Sequence, residues 1–344
     1  MIRATSQLPM LASSLPLLAK HRLTTPIAAI DLDELDQSVR SMEDSHLECG
    51  IAWRPMVASP LVPTQIGVLR RARIAAISLR SLPSFDFAVF KNFDVDLLRP
   101  PITLGGAGLL ADALDQTTVA VACDHFAQVE PLARAAAEAG REIVIDLRVS
   151  AQRGDWGVLP GPELENLARG ISRLPAARLR GLVLPAHDTN GAADSFASSK
   201  VGRLALAGAA SLHKTGHRPE ILLVDNLEDG RRLSAELPDI SCASLTPLPD
   251  ARLVLAGVIA RPSREVAILD AGAAELGSTP SLVSNYFWRV EMIQTHVTSL
   301  RCDVSGDNMA IGDVLLVRPS PDARLSRNAP RLLKRQGVWT LAPK

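Results

Sequence analysis

Lysine is scarce in this chain. Lys20, Lys91, Lys200, Lys214, Lys334 and Lys344 are the only ones in 344 residues, and arginine supplies most of the positive charge. An excess of either sign is missing too, since Lys+Arg and Asp+Glu each total 37. That balance gives no sign of a nucleic-acid or anionic-membrane partner, which an excess of basic residues would suggest. No apolar run approaches the roughly 18–20 residues of a membrane span. Cys49, Cys123, Cys242 and Cys302 form no CxxC pair, and read as buried reduced thiols. The opening "MIRATSQLPMLASSLPLLAKHR" is broken by two prolines and lacks a basic stretch followed by a continuous apolar one, so it does not read as a signal peptide. These absences together predict a soluble, cytoplasmic protein.

A large core is expected instead, because 47% of residues are apolar and 22% charged. Short β-rich runs alternate with longer amphipathic ones. The expected strands are 26–31, 51–57, 73–78, 94–98, 118–123, 142–147, 179–184 and 221–225. The helical runs between them carry their own punctuation: acidic residues open "DELDQSVRSMEDSHLE", and Gly140 closes "HFAQVEPLARAAAEAG". Eight such units in about 225 residues match a parallel (β/α)8 barrel. A doubly wound sheet is the rival, but its Gly-rich first turn is missing. Near residue 252 the pattern changes to short strands separated by Pro, Gly, Asp and Ser, which reads as an antiparallel β domain. The expected organisation is an extension over 1–24, the barrel over 25–251, and the β domain over 252–344.

Several stretches carry a family resemblance: "TPIAAIDLDELDQSV", "RPMVAS", "REVAILDAGAAELGS" and "IGDVLLVRPS". The chain from about Thr25 onward resembles the alanine-racemase-like, fold-type III pyridoxal-phosphate enzymes, in the D-serine dehydratase/D-threonine aldolase branch. The resemblance implies a barrel followed by a β domain. It also implies a homodimer, or a heteromer with an active relative. At the functional motifs the chain departs from the family. The Schiff-base lysine, whose amine holds the cofactor aldehyde, is matched by Ala58, and the histidine two residues before it by Met56. The Gly-rich phosphate cradle is matched by "VDNLEDGRRL", where Asp225, Glu228 and Asp229 would repel a dianion. The tyrosine after the seventh strand is replaced by "LPAHD", and Tyr286 is the chain's only tyrosine. The metal-binding His-x-Cys is matched by Pro321-Asp322-Ala323, with His296 as an upstream remnant. The expectation is a chain with no cofactor, pyridoxal phosphate having been lost. A divalent metal held by His125, His187 and neighbouring carboxylates stays open.

In a barrel the C-terminal strand ends converge on one mouth. Polar residues expected there include Asp31, Asp33, Ser59, Asp124, His125, Asp146, Arg148, Arg153, Asp155, His187, Asp188, Asp225 and Asn226. Many of these have an ordinary alternative as helix caps and rim braces. Arg148 and Arg153 are the expected ligand-binding residues, because a guanidinium fork matches a carboxylate or phosphate. His125, His187 and Asp225 are the catalytic candidates. Two functions follow. One is a pseudoenzyme that binds a small anion or a protein partner at the mouth. The other is an enzyme with cofactor-independent or metal-dependent lyase, aldolase or epimerase chemistry on an amino-acid-like substrate.

Overall fold

The computed structural model describes residues 18, 22–57, 62–82, 87–184, 199–249, 251–283, 288–302, 309–320, 323 and 332–342. The chain divides into two compact units, one built on Val39–Leu248 and the other on the described parts of Met1–Ser38 and Pro249–Lys344. Strand β1 is Ile27–Asp31 and helix α1 is Leu32–Glu48. In the first unit come β2 (Ala52–Trp53), β3 (Met56–Val57), α2 (Val62–Arg71), β4 (Ala76–Leu79), β5 (Asp94–Leu97), α3 (Leu104–Leu114), β6 (Val119–Cys123) and α4 (Phe126–Glu138). They are followed by β7 (Ile143–Arg148), α5 (Pro162–Ile171), β8 (Ala177–Val183), α6 (Lys200–Lys214), β9 (Ile221–Val224), α7 (Leu227–Glu236) and β10 (Ser241–Ser244).

The parallel sheet of this unit runs β2-β10-β9-β8-β7-β6-β5-β4-β3. Its two end members are halves of one extended segment, 52–57. Ala52 and Trp53 pair with β10, while Met56 and Val57 pair with β4. The sheet therefore closes on itself as an eight-stranded barrel, as the alternation of runs predicts. Strands such as Val119–Cys123 are buried along their whole length, as strands covered on both faces must be. The helices outside bury one stripe; α4 does so with Val129, Leu132, Ala133 and Ala136.

Two strands differ from the sequence reading. The segment 26–31, expected to open the barrel, joins the other unit. There β1 lies antiparallel to β11 (Arg252–Ser263) and parallel to a late strand, Leu332–Arg335. The eighth barrel strand is β10, "SCAS", whose small polar residues carry no β-rich signal. The second unit adds β12 (Val266–Leu269), α8 (Ala273–Leu276), β13 (Ser281–Leu282), β14 (Trp288–Ile293), β15 (Thr298–Cys302), β16 (Val314–Arg318), β17 (Leu332–Arg335) and β18 (Val338–Leu341). Its sheet order is β14-β15-β12-β11-β1-β17-β18, with β16 also paired to β11. Asp31 anchors it: one carboxylate oxygen accepts from the amides of Asp33 and Glu34, and the other meets Lys334 Nζ at 2.6 Å.

The four cysteines are unpaired and three are buried, with burial pushing the Cys242 thiol up to about 11. His46 is structural; it is fully buried, stacked on Trp53, with Nδ1 2.6 Å from the Met42 carbonyl oxygen. Among the described residues no helix is long and apolar enough to cross a membrane.

The barrel interior is not uniformly apolar. Leu98, Ala122, Val183, Leu223, Ala243 and Leu245 form one buried cluster. Beside them, Arg180 on β8 donates from Nε to Asp146 Oδ1 at 3.0 Å and from Nη2 to Asp96 Oδ1 at 2.7 Å. Arg54, between β2 and β3, donates to the other Asp96 oxygen at 2.8 Å. Arg180 is placed by a register shift: Ile145 pairs with Leu179 and Asp146 with Gly181, so Arg180 is the extra residue of a bulge. Gly181 is required beside it, since a Cβ there would collide with the Ile221 carbonyl oxygen.

Removing a shared cation leaves two carboxylates buried without it. Arg180→Met is expected to cost about 3–5 kcal/mol, read as a lower denaturant midpoint at unchanged slope. Arg178→Met, which breaks only exposed pairs with Glu142 and Glu220, is expected to cost at most about 1 kcal/mol.

Candidate functional site

Strand periodicity carries the charged interior up to the barrel mouth. Successive inward-facing residues are two apart. Ser78 and Asp96 are therefore followed by Arg80 and Leu98, Asp146 by Arg148, Leu223 by Asp225, and Ala243 by Leu245. At this level a cavity of about 430 Å³ opens, with Arg80, Arg99, Arg148, Trp156 and Asp225 around an apolar floor of Met56, Leu98, Leu245 and Pro247.

Arg148 is the best-defined group in it. Its Nη2 donates to the Leu98 carbonyl oxygen at 3.1 Å, and its guanidinium carbon lies 3.9 Å from the centre of the Trp156 ring. Arg99 approaches the same ring at 5.9 Å. The Nε of Arg148 is buried and has no hydrogen-bond partner among the described residues. Burial lowers the pKa of Arg148, against the pull of Asp225 and Asp124, and nearby Arg99 adds to the lowering. Asp225 moves the other way. Burial raises its pKa, Arg148 opposes this, and Asp229 adds to it. The cavity thus sets three guanidinium groups against one carboxylate that is easily neutralised.

The site residues expected from sequence separate into groups. Arg148 and Asp225 share the cavity. Arg153 does not line it; its side chain is 84% exposed and pairs with Glu163 at 3.0 Å. His125 is the N-cap of α4, accepting from the Ala127 amide at 3.1 Å, and it lines a separate groove of about 710 Å³ with Phe126, Glu163 and Leu167. Asp124 is tied to Gln128 at 2.6 Å, and Asp146 belongs to the interior network. His187, Ala58, Ser59, Asp188, Tyr286 and the pair Pro321-Asp322 lie outside the described residues. His296 is exposed in the second unit. Among the described residues no group of three His, Cys, Asp or Glu side chains is placed to hold a metal ion. The sequence reading did not single out Arg80, Arg99 and Trp156. The signal was present for the arginines, which follow β4 and β5 at the same barrel end as Arg148.

The acidic segment after β9 also differs from its expected effect. Glu228 accepts from Arg231 and Arg232, which lower its pKa to about 2. Asp229 is bonded to Asn226, the N-cap of α7. Only Asp225 of the three faces the cavity.

No family model and no curated protein matches the chain. Solved structures do. D-threonine aldolase from Filomicrobium marinum is similar at 18% identity and a TM-score of 0.70, covering 90% of each chain. D-threo-3-hydroxyaspartate dehydratase from Delftia sp. HT23 is similar at 16% identity and 0.66, over 93% of this chain and 97% of that one. Alanine racemase from Clostridium difficile 630, in complex with cycloserine, gives 12% identity and 0.68, over 92% and 98%. This chain has their fold: an alanine-racemase-like barrel with a β domain.

That likeness corrects the expectation of a chain without cofactor. The neighbours are pyridoxal-phosphate-dependent enzymes, and this chain keeps their fold over nine-tenths of its length. The physical ground for the expectation is also weaker than the sequence implies, because Glu228 and Asp229 are engaged by their own neighbours and three arginines line the mouth. The cavity suits the anionic and planar parts of pyridoxal phosphate, through Arg80, Arg99, Arg148 and Trp156. It does not supply the amine of an imine: Ala58 has none, and among the described residues no lysine lines the cavity.

Asp225 sets a pH dependence. Its charged form repels an anion at Arg148, and its raised pKa means that falling pH neutralises it earlier than an ordinary carboxylate. Sulfate, which keeps its charge over this range, is expected to bind more tightly as pH falls toward the carboxylate range. Asp225→Asn should bind sulfate more tightly at neutral pH and lose that rise, as measured by isothermal titration calorimetry.

Proposed function

We propose that the barrel mouth is a binding site for a small, carboxylate- or phosphate-bearing molecule of amino-acid-like size, on a fold shared with amino-acid enzymes. The observation that carries this reading is the cavity itself: Arg148, stacked on Trp156 and flanked by Arg99 and Arg80, faces Asp225. An Arg148 donor to an anion is a charge-assisted bond, the stronger for the partly buried setting. Asp225 offers the opposite charge for an ammonium group. A zwitterion is therefore held at both ends, while the spare arginines suit a second anionic group. The named neighbours act on D-threonine, D-threo-3-hydroxyaspartate and alanine, molecules of this class. Pyridoxal phosphate, when bound in an enzyme, supplies an electron sink next to the substrate's reacting carbon; at this mouth the arginines would hold its phosphate and Trp156 would cover its ring.

The reading is a binding protein on an enzyme's fold, because the polar groups nearest the mouth are spent on structure. His125 caps a helix, Asp124 holds Gln128 and Asp146 holds Arg180. One observation favours an enzyme instead: Asp225, a carboxyl group of raised pKa that shares the cavity with Arg148, is placed to carry a proton. Exchange of a substrate's α-hydrogen in heavy water, lost in Asp225→Asn, would establish that second reading.

The test of binding is a thermal-shift and calorimetry screen of sulfate, malonate, D-threonine, D-aspartate and pyridoxal phosphate. Arg148→Ala is expected to weaken any ligand by about ten- to a hundredfold. Arg153→Ala should leave affinity unchanged. Loss of binding in Arg153→Ala with retention in Arg148→Ala would overturn the site.

A further inference from the structure

The groups around Arg148 divide its surface in an instructive way. One edge of the guanidinium is fixed on the Leu98 carbonyl oxygen, and one face is covered by Trp156. The ring that covers it is held by an unusual loop. Val149 and Val158 form a bridge at the loop's base, with Ser150 N donating to Val158 O at 3.0 Å and Val158 N to Arg148 O at 2.9 Å. Gly157, next to the tryptophan, has φ 144°. A Cβ there would lie 2.7 Å from the Val149 carbonyl carbon, so only glycine lets the backbone pass this close. The bridge at the loop's base and the glycine together place Trp156 directly over a charge that it does not neutralise.

Trp156 differs from the other tryptophans. Trp53, Trp288 and Trp339 are 5%, 3% and 5% exposed and belong to the cores, whereas Trp156 is 46% exposed. An exposed indole is not there to fill a core. Its position instead keeps water off one face of Arg148, and a desolvated guanidinium binds an anion more strongly than a hydrated one.

We infer that Trp156 is an affinity-determining residue of the mouth: by covering Arg148 it keeps that guanidinium desolvated and oriented for the anion of a carboxylate ligand. The inference rests on the mouth being a binding site, as proposed above. In it, the ligand takes the uncovered edge of the fork while the indole stays in place as a wall. An aromatic ring of any kind serves this purpose; a small side chain does not.

The test uses the full chain with malonate as the probe. Trp156→Ala is expected to weaken malonate binding by about three- to thirtyfold, while Trp156→Phe stays within about twofold of the unaltered protein. Because Trp156 is the one exposed tryptophan of the four, malonate should also shift or quench the emission of the unaltered protein, and this change should vanish in Trp156→Phe although binding persists. Matching denaturation midpoints of the two variants would show that the exposed loop does not govern folding. If the unaltered protein binds none of the screened anions, the mouth reading itself fails. If it binds malonate and Trp156→Ala binds it equally well or more tightly, the mouth stands, Trp156 is a bystander or a plug, and the inference is overturned.

Discussion

Two arginines and two aspartates inside the barrel determine what the mouth above them can be. Arg54, Asp96, Asp146 and Arg180 are tied into one network across the interior, and the formal charges cancel. Burying four charges carries a large desolvation penalty, which only close and complete pairing offsets. The consequence is local. Asp96 and Asp146 are committed to their cations, so neither is available to neutralise the arginines one layer higher. The surplus positive charge at the mouth is a product of this balance below it. Burial raises the pKa of Asp146 while Arg180 pulls against that, and Arg180 itself, disfavoured by burial, is held charged by its two carboxylates. A bulge that inserts Arg180 and a glycine that admits the neighbouring backbone are the structural conditions for this arrangement.

The loops that leave the barrel use polar residues in the same way. A parallel barrel delivers every strand end to a helix start, and a helix start needs acceptors for its free amides. Thr103, His125, Ser199 and Asn226 are those acceptors. Each lies at the mouth end, where a functional side chain would also lie. A polar residue there is therefore ambiguous until its partner is known. Arginine is less ambiguous, because it cannot accept a hydrogen bond from a helix amide. Arg148, Arg99 and Arg80 stand out at the mouth for that reason, whereas Arg153, with a carboxylate close at hand on the next helix, is diverted to the surface.

The strand–helix alternation was legible because buried parallel strands are nearly continuous apolar runs, and "TVAVAC" or "EIVIDL" can be little else. The partner of a strand was not legible. "PIAAID" has the composition of a barrel strand, yet its side chains pack with Leu253, Leu255 and Leu332 in the other unit. Conversely "SCAS" becomes a barrel strand because the sheet must close between β9 and β2, not because of its own propensity. At the site, Arg148 and Asp225 could be named because each follows a clear strand. Arg80 and Arg99 follow strands equally clear, but no motif marks them. Trp156 lies in a loop of eight or so residues, and its contact with Arg148 depends on a bridge between Val149 and Val158 that no local pattern announces.

The barrel closes through 52–57, which pairs on both of its edges at once. That requirement concerns backbone hydrogen bonds and apolar burial, and it is met by many side chains. The charged interior is different: altering Asp96 or Arg180 alone leaves its partners buried and unpaired. The most constrained polar residues are therefore those of the interior network, below the cavity. Closure and interior pairing leave the identity of the residues that line the cavity to other demands.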